Sequence, residues 1–255
     1  MTILIDVHAH LDWPDMLQDI DNVIQRAREA GVKVIIANGV DRESNRRVLE
    51  LAGKYDIVQP ALGIYPIDAL QTEQGESFKE TDIDKELDFI KQQDIIAIGE
   101  VGLDMKNGQD LEMQKDLFLK LINIAKEKDI PVIVHSRKAE QECIDVLEAT
   151  GYKKVVMHCF SGRKHLIKRA ADLGYYFSIP TNIVKSEHFQ QLVKDVHISK
   201  LLTETDAPFL SPFPGKTNEP AFVIESLKKI AEIKGMTLDD TANNIFMNYQ
   251  NLFLR

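Results

Sequence analysis

Two histidines stand one residue apart in DVHAHL, residues 6 to 11, directly behind the apolar opening MTILI. Alternate side chains of a strand share a face, so His8 and His10 point the same way if the strand runs that far. Two neutral imidazoles converging at a strand end are a donor set that a divalent cation takes. An isolated H-x-H is otherwise an ordinary surface pair, so other ligand-type residues at equivalent places must separate the two readings.

Such residues recur. Glu100 closes a strand-like run in IGEVGLD, His135 in VIVHSR, His158 in VVMHCFSG and Asp206 in LTETDAP. The other histidines, His165, His188 and His197, fall in helical or loop segments and read as surface residues. Six nitrogen and oxygen donors without a thiolate suit zinc, manganese or magnesium. They exceed the needs of one catalytic zinc with an open position, and they match two ions sharing a carboxylate. Glu100, from the middle of the strand order, is the expected bridge. His8, His10 and Asp206 then surround one ion, and His135 and His158 the other. Two close ions make a water more acidic and stabilise the entering and leaving oxygens of an in-line displacement, so the chemistry is metal-assisted hydrolysis.

Asp206 can also accept the proton of the attacking water. TDAP is equally a credible turn, with Asp206 capping a helix before Pro208. Cys159 follows His158 directly and, on a continuing strand, faces away from it, which argues against a nucleophile. Ser161 and Gly162 lie in the next turn, where the glycine either lets backbone approach a ligand or makes a plain turn.

The elements that position these residues repeat along the chain. The apolar runs are ILIDVH, KVIIANGV, IVQPALGI, IIAIGEVG, PVIVHS, KVVMHCF, YYFSIP and KLLTET. Between them lie amphipathic stretches such as MLQDIDNVIQRAREAG and LEMQKDLFLKLINIAKEKD. The runs are apolar on both faces, as in parallel strands covered on each side. Eight strand–helix units of roughly 30 residues predict a (β/α)8 TIM barrel, an α/β fold whose chemistry sits at the C-terminal strand ends. No G-x-G-x-x-G follows the first run, which disfavours a doubly wound sheet. One domain over residues 1–255 is expected, with residues 71–84, QTEQGESFKETDID, as a polar solvated loop.

Composition sets outer bounds. The chain has 255 residues, 44% hydrophobic, with two cysteines and a formal charge of −9. It lacks a long apolar span and a secretory leader pattern, and its cysteine usage suits a reducing, cytoplasmic compartment. The acidic balance argues against broad electrostatic binding of nucleic acid, but not against a local track. Arg137, Lys138, Arg163 and Lys164 follow ligand-bearing strands and form such a track, or else solvate helix starts. Trp13, Tyr65, Phe160 and Phe209 are available for base stacking or for packing.

The motifs DVHAHL, GEVGLD, PVIVHSR, HCFSG and TETDAP, in this order, closely resemble the TatD family of metal-dependent deoxyribonucleases within the amidohydrolase superfamily. The likeness extends to MQKDLFLKLINIAKEKDIPVIVHSRKA, to NEP at 218–220 and to NYQNLF, so it covers nearly the whole chain. It implies the same barrel, a two-metal site and hydrolysis of DNA phosphodiester bonds in single strands or ends. It implies His8, His10, Glu100, His135, His158 and Asp206 as ligands, Glu100 and Asp206 as the catalytic carboxylates, and Arg137 on the substrate side, where a guanidinium fork fits phosphate oxygens. Two positions depart from the family pattern. Tyr65 stands in GIYP where many members have a histidine; it can hydrogen-bond a phosphate or stack on a base, but cannot act as an imidazole. Thr217 precedes Asn-Glu-Pro where a basic residue is common, leaving Lys216 one place earlier. An ester or amide hydrolase of small molecules, deacylase-like, is the alternative on the same scaffold, and a binding component with structural metals is a third. Neither a membrane nor an obligate protein partner is expected.

Overall fold

The computed structural model describes residues 2–66 and 80–254. Eight parallel strands run in the order β1 to β8: Leu4–Ala9, Val32–Asn38, Val58–Leu62, Ala97–Asp104, Val132–Arg137, Val155–Met157, Tyr176–Ile179 and Leu201–Thr203. Among the described residues ten α-helices separate or follow them: α1 Pro14–Leu17, α2 Ile20–Ala30, α3 Arg42–Lys54, α4 Glu80–Gln92, α5 Leu111–Lys128, α6 Glu140–Thr150, α7 Lys164–Asp172, α8 Glu187–Asp195, α9 Val223–Lys234 and α10 Leu238–Phe253. The fold is the (β/α)8 TIM barrel that the repeated runs predict. Among the described residues no helix is long and apolar enough to cross a membrane.

Strands buried on both faces need apolar side chains on both, and β1 and β4 are buried at every position. Ile5, Val7, Ile36, Ala61, Ala97, Ile133, Val156 and Leu202 come from seven strands yet share one cluster, so they fill the barrel interior. Tyr249, Leu252 and Phe253 of α10 join that cluster and close the end where the strands begin. Chemistry is thereby confined to the opposite mouth.

Of three register shifts in the described ladder, one at Leu4/Ile5 lies far from the mouth and two bear on the site. The β1–β2 register shifts between Asp6 and Ala9, and the β4–β5 register between Ile98 and Val101. Each interval contains a predicted ligand, His8 or Glu100, and an extra residue in a strand re-aims the side chains beyond it. Glu100 is consequently not at the end of β4 but in its middle, and the strand continues to Asp104.

The seam between β8 and β1 closes beyond the end of β8. Asp206 N–H donates to His8 O at 2.9 Å and His10 N–H to Ala207 O at 2.7 Å. Behind them Asp6 accepts the N–H of Thr205 at 2.9 Å and its hydroxyl at 2.6 Å. Asn218, from the Asn-Glu-Pro motif, locks the β8 loop from outside: its amide donates to Thr205 O, Phe209 O and Thr181 Oγ1 at 2.7, 2.7 and 2.9 Å. Asn218→Ala should leave those buried acceptors short of a donor and lower unfolding free energy by about 1–3 kcal/mol. A shift in the urea midpoint at constant m-value checks this.

The predicted loop at 71–84 is corrected in part. Residues 71–79 lie outside the described residues, but 80–84 open α4. Ile83, Leu87 and Ile90 recur at helical spacing and are all buried, so core packing outweighs the polar composition of that turn.

Candidate metal centre

The six ligand-type residues meet at the barrel mouth. His8 Nε2 and His10 Nε2 lie 3.2 Å apart. Glu100 Oε2 is 3.6 Å from the first and 3.3 Å from the second, and Asp206 Oδ1 is 3.5 and 3.6 Å from them. Donors about 2.1 Å from a shared ion at tetrahedral corners are spaced by about 3.4 Å, so the separations of His8, His10 and Glu100 fit one cation, with Asp206 at like distance from both imidazoles. Glu100 turns its other oxygen away: Oε1 is 2.8 Å from His135 Nδ1 and 3.9 Å from His158 Nε2. Of three donor groups among the described residues, His8/His10/Glu100 and Glu100/His135/His158 therefore share one carboxylate, and the third, His8/His158/Glu204, lies behind them.

Hydrogen bonds behind the imidazoles fix which nitrogen faces inward. His10 Nδ1–H donates to Asn38 O at 3.2 Å, and His158 Nδ1–H donates to Glu204 Oε2 at 2.8 Å. His135 is turned the other way round, with Nε2 at 3.4 Å from Asp104 Oδ2, so its Nδ1 faces Glu100. Each inward nitrogen is thus the one a cation would take. His8 Nδ1 is buried without a hydrogen-bond partner among the described residues.

Electrostatics follow the same geometry. Burial pulls the His8 pKa well below the usual imidazole value, helped by His158, which keeps it neutral. Burial also acts against charge on His10, but the Asp206 and Glu100 carboxylates outweigh it and raise that pKa well above normal. For His158 the same contest, with Glu204 as the strongest opposing carboxylate, ends at about 9. Burial works to neutralise Glu100, yet hydrogen bonds from His10 and His135 hold it far below the usual range, as a carboxylate.

Asp104 and Glu204, which sequence reasoning missed, stand behind the imidazoles of His135 and His158. Asp104 is oriented by the Lys106 and Asn107 N–H groups at 2.8 and 2.9 Å. Both acids are fully buried. Both lay inside quoted motifs, GEVGLD and TETDAP, but a carboxylate after a strand is so common in turns that nothing there distinguished them. Glu204→Ala should weaken cation affinity at the His135/His158 group about 10- to 100-fold by removing the acceptor that sets the His158 tautomer. Competition with a chelating dye would read that change.

Tyr65 is placed behind His135, half-buried, with its hydroxyl donating to Asp104 Oδ2 at 3.0 Å and 3.1 Å from His135 Nε2. Burial, then the charges of Glu100 and Asp104, push its pKa far up, so it stays a phenol. Its hydroxyl is engaged with the imidazole that faces Glu100. The preceding Gly63 is required by close approach, since a Cβ there would stand 2.5 Å from Glu100 O.

Other expectations are revised. Asp206 caps no helix; it adopts φ 56° in the loop after β8 and aims its carboxylate at His8 and His10. Cys159 lies past the end of β6 with φ 42°, so strand alternation does not orient it. Burial and the nearby Glu204, Asp206 and Glu100 hold its thiol protonated, unfit as a nucleophile. Gly162 serves packing: a Cβ there would meet the Phe160 ring at 2.4 Å. Phe160 itself is wholly buried against Phe177 and offers no stacking face. Of the basic residues, Arg137, Lys138 and Arg163 are exposed without ion pairs among the described residues, whereas Lys164 pairs with Asp195 at 3.3 Å. His165 and His197 are exposed, and His188 is half-buried with Nε2 3.0 Å from Phe160 O.

Comparison with known proteins identifies the family. Residues 5–254 match the family model for TatD related DNase. The chain is 34% identical to deoxyribonuclease TATDN3 of Homo sapiens, over 98% of this chain and 94% of that protein. It is also 34% identical to the uncharacterized metal-dependent hydrolase YabD of Bacillus subtilis, over 98% and 99%. Among solved structures, the TatD homolog YjjV of Escherichia coli K12 is 28% identical and superposes with a TM-score of 0.88 over 99% of this chain and 98% of that one. With the family model spanning nearly its whole length, the chain belongs to the TatD-related DNase family and is a metal-dependent hydrolase.

Proposed function

We propose that this hydrolase cleaves phosphodiester bonds of DNA, in single strands or at ends, with two divalent ions bridged by Glu100. The observation that carries the reading is the division of Glu100: Oε2 faces His8 and His10, and Oε1 faces His135 and His158. The residues fit zinc, manganese or magnesium: His8, His10 and Asp206 would hold one ion, and His135 and His158 the other. When bound, such a pair supplies Lewis acidity and positive charge to offset the phosphate. The chain's own groups do the rest. Asp206, partly open to the mouth, takes the proton from the attacking water as the phosphorus–oxygen bond to the leaving nucleotide breaks. Arg137, at the exposed end of β5, presents its guanidinium to the non-bridging phosphate oxygens. The deoxyribonuclease name of the human relative supports DNA as the substrate class.

The test is hydrolysis of a 5′-labelled single-stranded DNA by metal-stripped protein resupplied with magnesium, manganese or zinc. Ion-dependent shortening supports the proposal. Its failure with every ion, while the protein still takes up metal, moves the function to a small ester or amide hydrolase. If Arg137, Lys138 and Arg163 each contact a phosphate, raising salt from 50 to 200 mM should weaken binding roughly twentyfold. A flat salt response removes that track.

A further inference from the structure

Two aromatic residues are fastened to the site in matching ways. Trp13 follows His10 by three residues and donates its N–H to His10 O at 3.3 Å; Phe209 follows Asp206 by three and donates to Asp206 O at 2.8 Å. The rings meet edge to face at 5.2 Å, and Phe209 stands 6.2 Å from the His10 ring. Asn218 holds the Phe209 carbonyl at 2.7 Å, and the His10–Ala207 hydrogen bond ties the two loops together. Despite this anchoring, Trp13 is 42% and Phe209 43% exposed. Rings that served the core would be covered as Phe160 is. These form a fixed ledge with open aromatic surface, at the side of the mouth where His10 and Asp206 lie.

The strand order makes the placement informative. The ledge sits on the β8–β1 seam, while the unpaired Arg137 and Arg163 follow β5 and β6, on the far side of the ring. A nucleic acid strand crossing the mouth would have phosphate contacts on one rim and a flat apolar face on the other. Aromatic rings bind bases through their π-faces with little regard to sequence, and only a base free of its duplex stack offers such a face.

We infer that Trp13 and Phe209 form a stacking subsite for the nucleobase next to the scissile phosphate, so that an unpaired base is a specificity determinant. The inference rests on the DNA-hydrolysis reading above. A rigid ledge loses little conformational entropy when a base lands on it.

Trp13 is the only tryptophan in the chain, so its emission reports on the ledge without a label. A metal-loaded protein titrated with phosphorothioate oligothymidylate should show quenching that an abasic oligomer of equal phosphate number does not produce. In cleavage assays the wild type should favour the base-bearing oligomer over the abasic one about ten- to hundredfold in kcat/KM. Trp13→Ala and Phe209→Ala should each shrink that ratio toward one, and Trp13→Phe should restore most of it. Equal ratios in wild type and variants, with DNA still cleaved, overturn the subsite and leave the nuclease reading standing. If no DNA is cleaved, the nuclease reading fails and the quenching decides the subsite: base-dependent quenching supports it, and equal or absent quenching by the two oligomers overturns it.

Discussion

Replacing Glu100 with alanine should reduce hydrolysis by roughly 10³-fold or more and lower the bound metal by at least one equivalent. Both oxygens of this carboxylate are committed, one to each donor group, and its side chain is almost fully buried. Among the described residues the imidazole contacts of Asp206 are to His8 and His10, those of Asp104 to His135 and those of Glu204 to His158, so none of them joins the His10 side to the His135 side as Glu100 does. Glu100→Asp keeps the charge but shortens the arm, and it should also fail to span both groups. Elemental analysis after dialysis, alongside the labelled-strand assay, checks both effects. A variant that retained its full metal load and its rate would remove Glu100 from the bridging role.

The second large effect separates chemistry from binding. Asp206→Asn should cut kcat by about 10²- to 10⁴-fold, the contribution of a general base, with a much smaller loss of metal than Glu100→Ala shows. Asparagine is the right probe because position 206 has φ 56°, a left-handed conformation that Asn and Asp tolerate and most other residues do not. Alanine there would confound lost chemistry with a displaced loop. The amide oxygen can still face His8 and His10, but it cannot accept and hold a proton as a carboxylate does. Metal analysis together with single-turnover cleavage of the labelled strand reads both quantities. An Asn variant with wild-type kcat would assign proton acceptance to another group.

The barrel was legible in the sequence because parallel strands demand apolar runs, and the six ligand-type residues that meet at its mouth stand out there because they close or follow such runs. The reason that His8 and His10 share a face was only partly legible. Alternation predicts it, but the strand ladder breaks between Asp6 and Ala9, and a comparable break accompanies Glu100. Such shifts depend on how two strands meet, which no single run reveals. Asp104 and Glu204 were hidden for a similar reason, since their contacts appear only when β4 and β5 pair, or when the chain beyond β6 meets the chain beyond β8 at the mouth. The aromatics divided for a tertiary reason as well. Phe160 and Phe209 look alike in the sequence, yet one is sealed beneath the α7 turn and the other left open at the mouth. The start of α4 was missed because its apolar residues are sparse among acids, although the core selects them.

The seam of the barrel gives the proposed ions a second consequence, mechanical rather than catalytic. Thr205 and Asp6, which meet at the seam, are separated by 199 positions, so closing the ring carries the entropy of a very long loop. An ion held by His8, His10 and Asp206 grips both sides of that joint and acts as a clasp. Hydrogen exchange at the Asp206 and His10 amides, whose bonds form the joint, should therefore slow on metal loading more than exchange at amides of the β2–β3 ladder. The residues that do the chemistry would also be the ones that hold the ring shut.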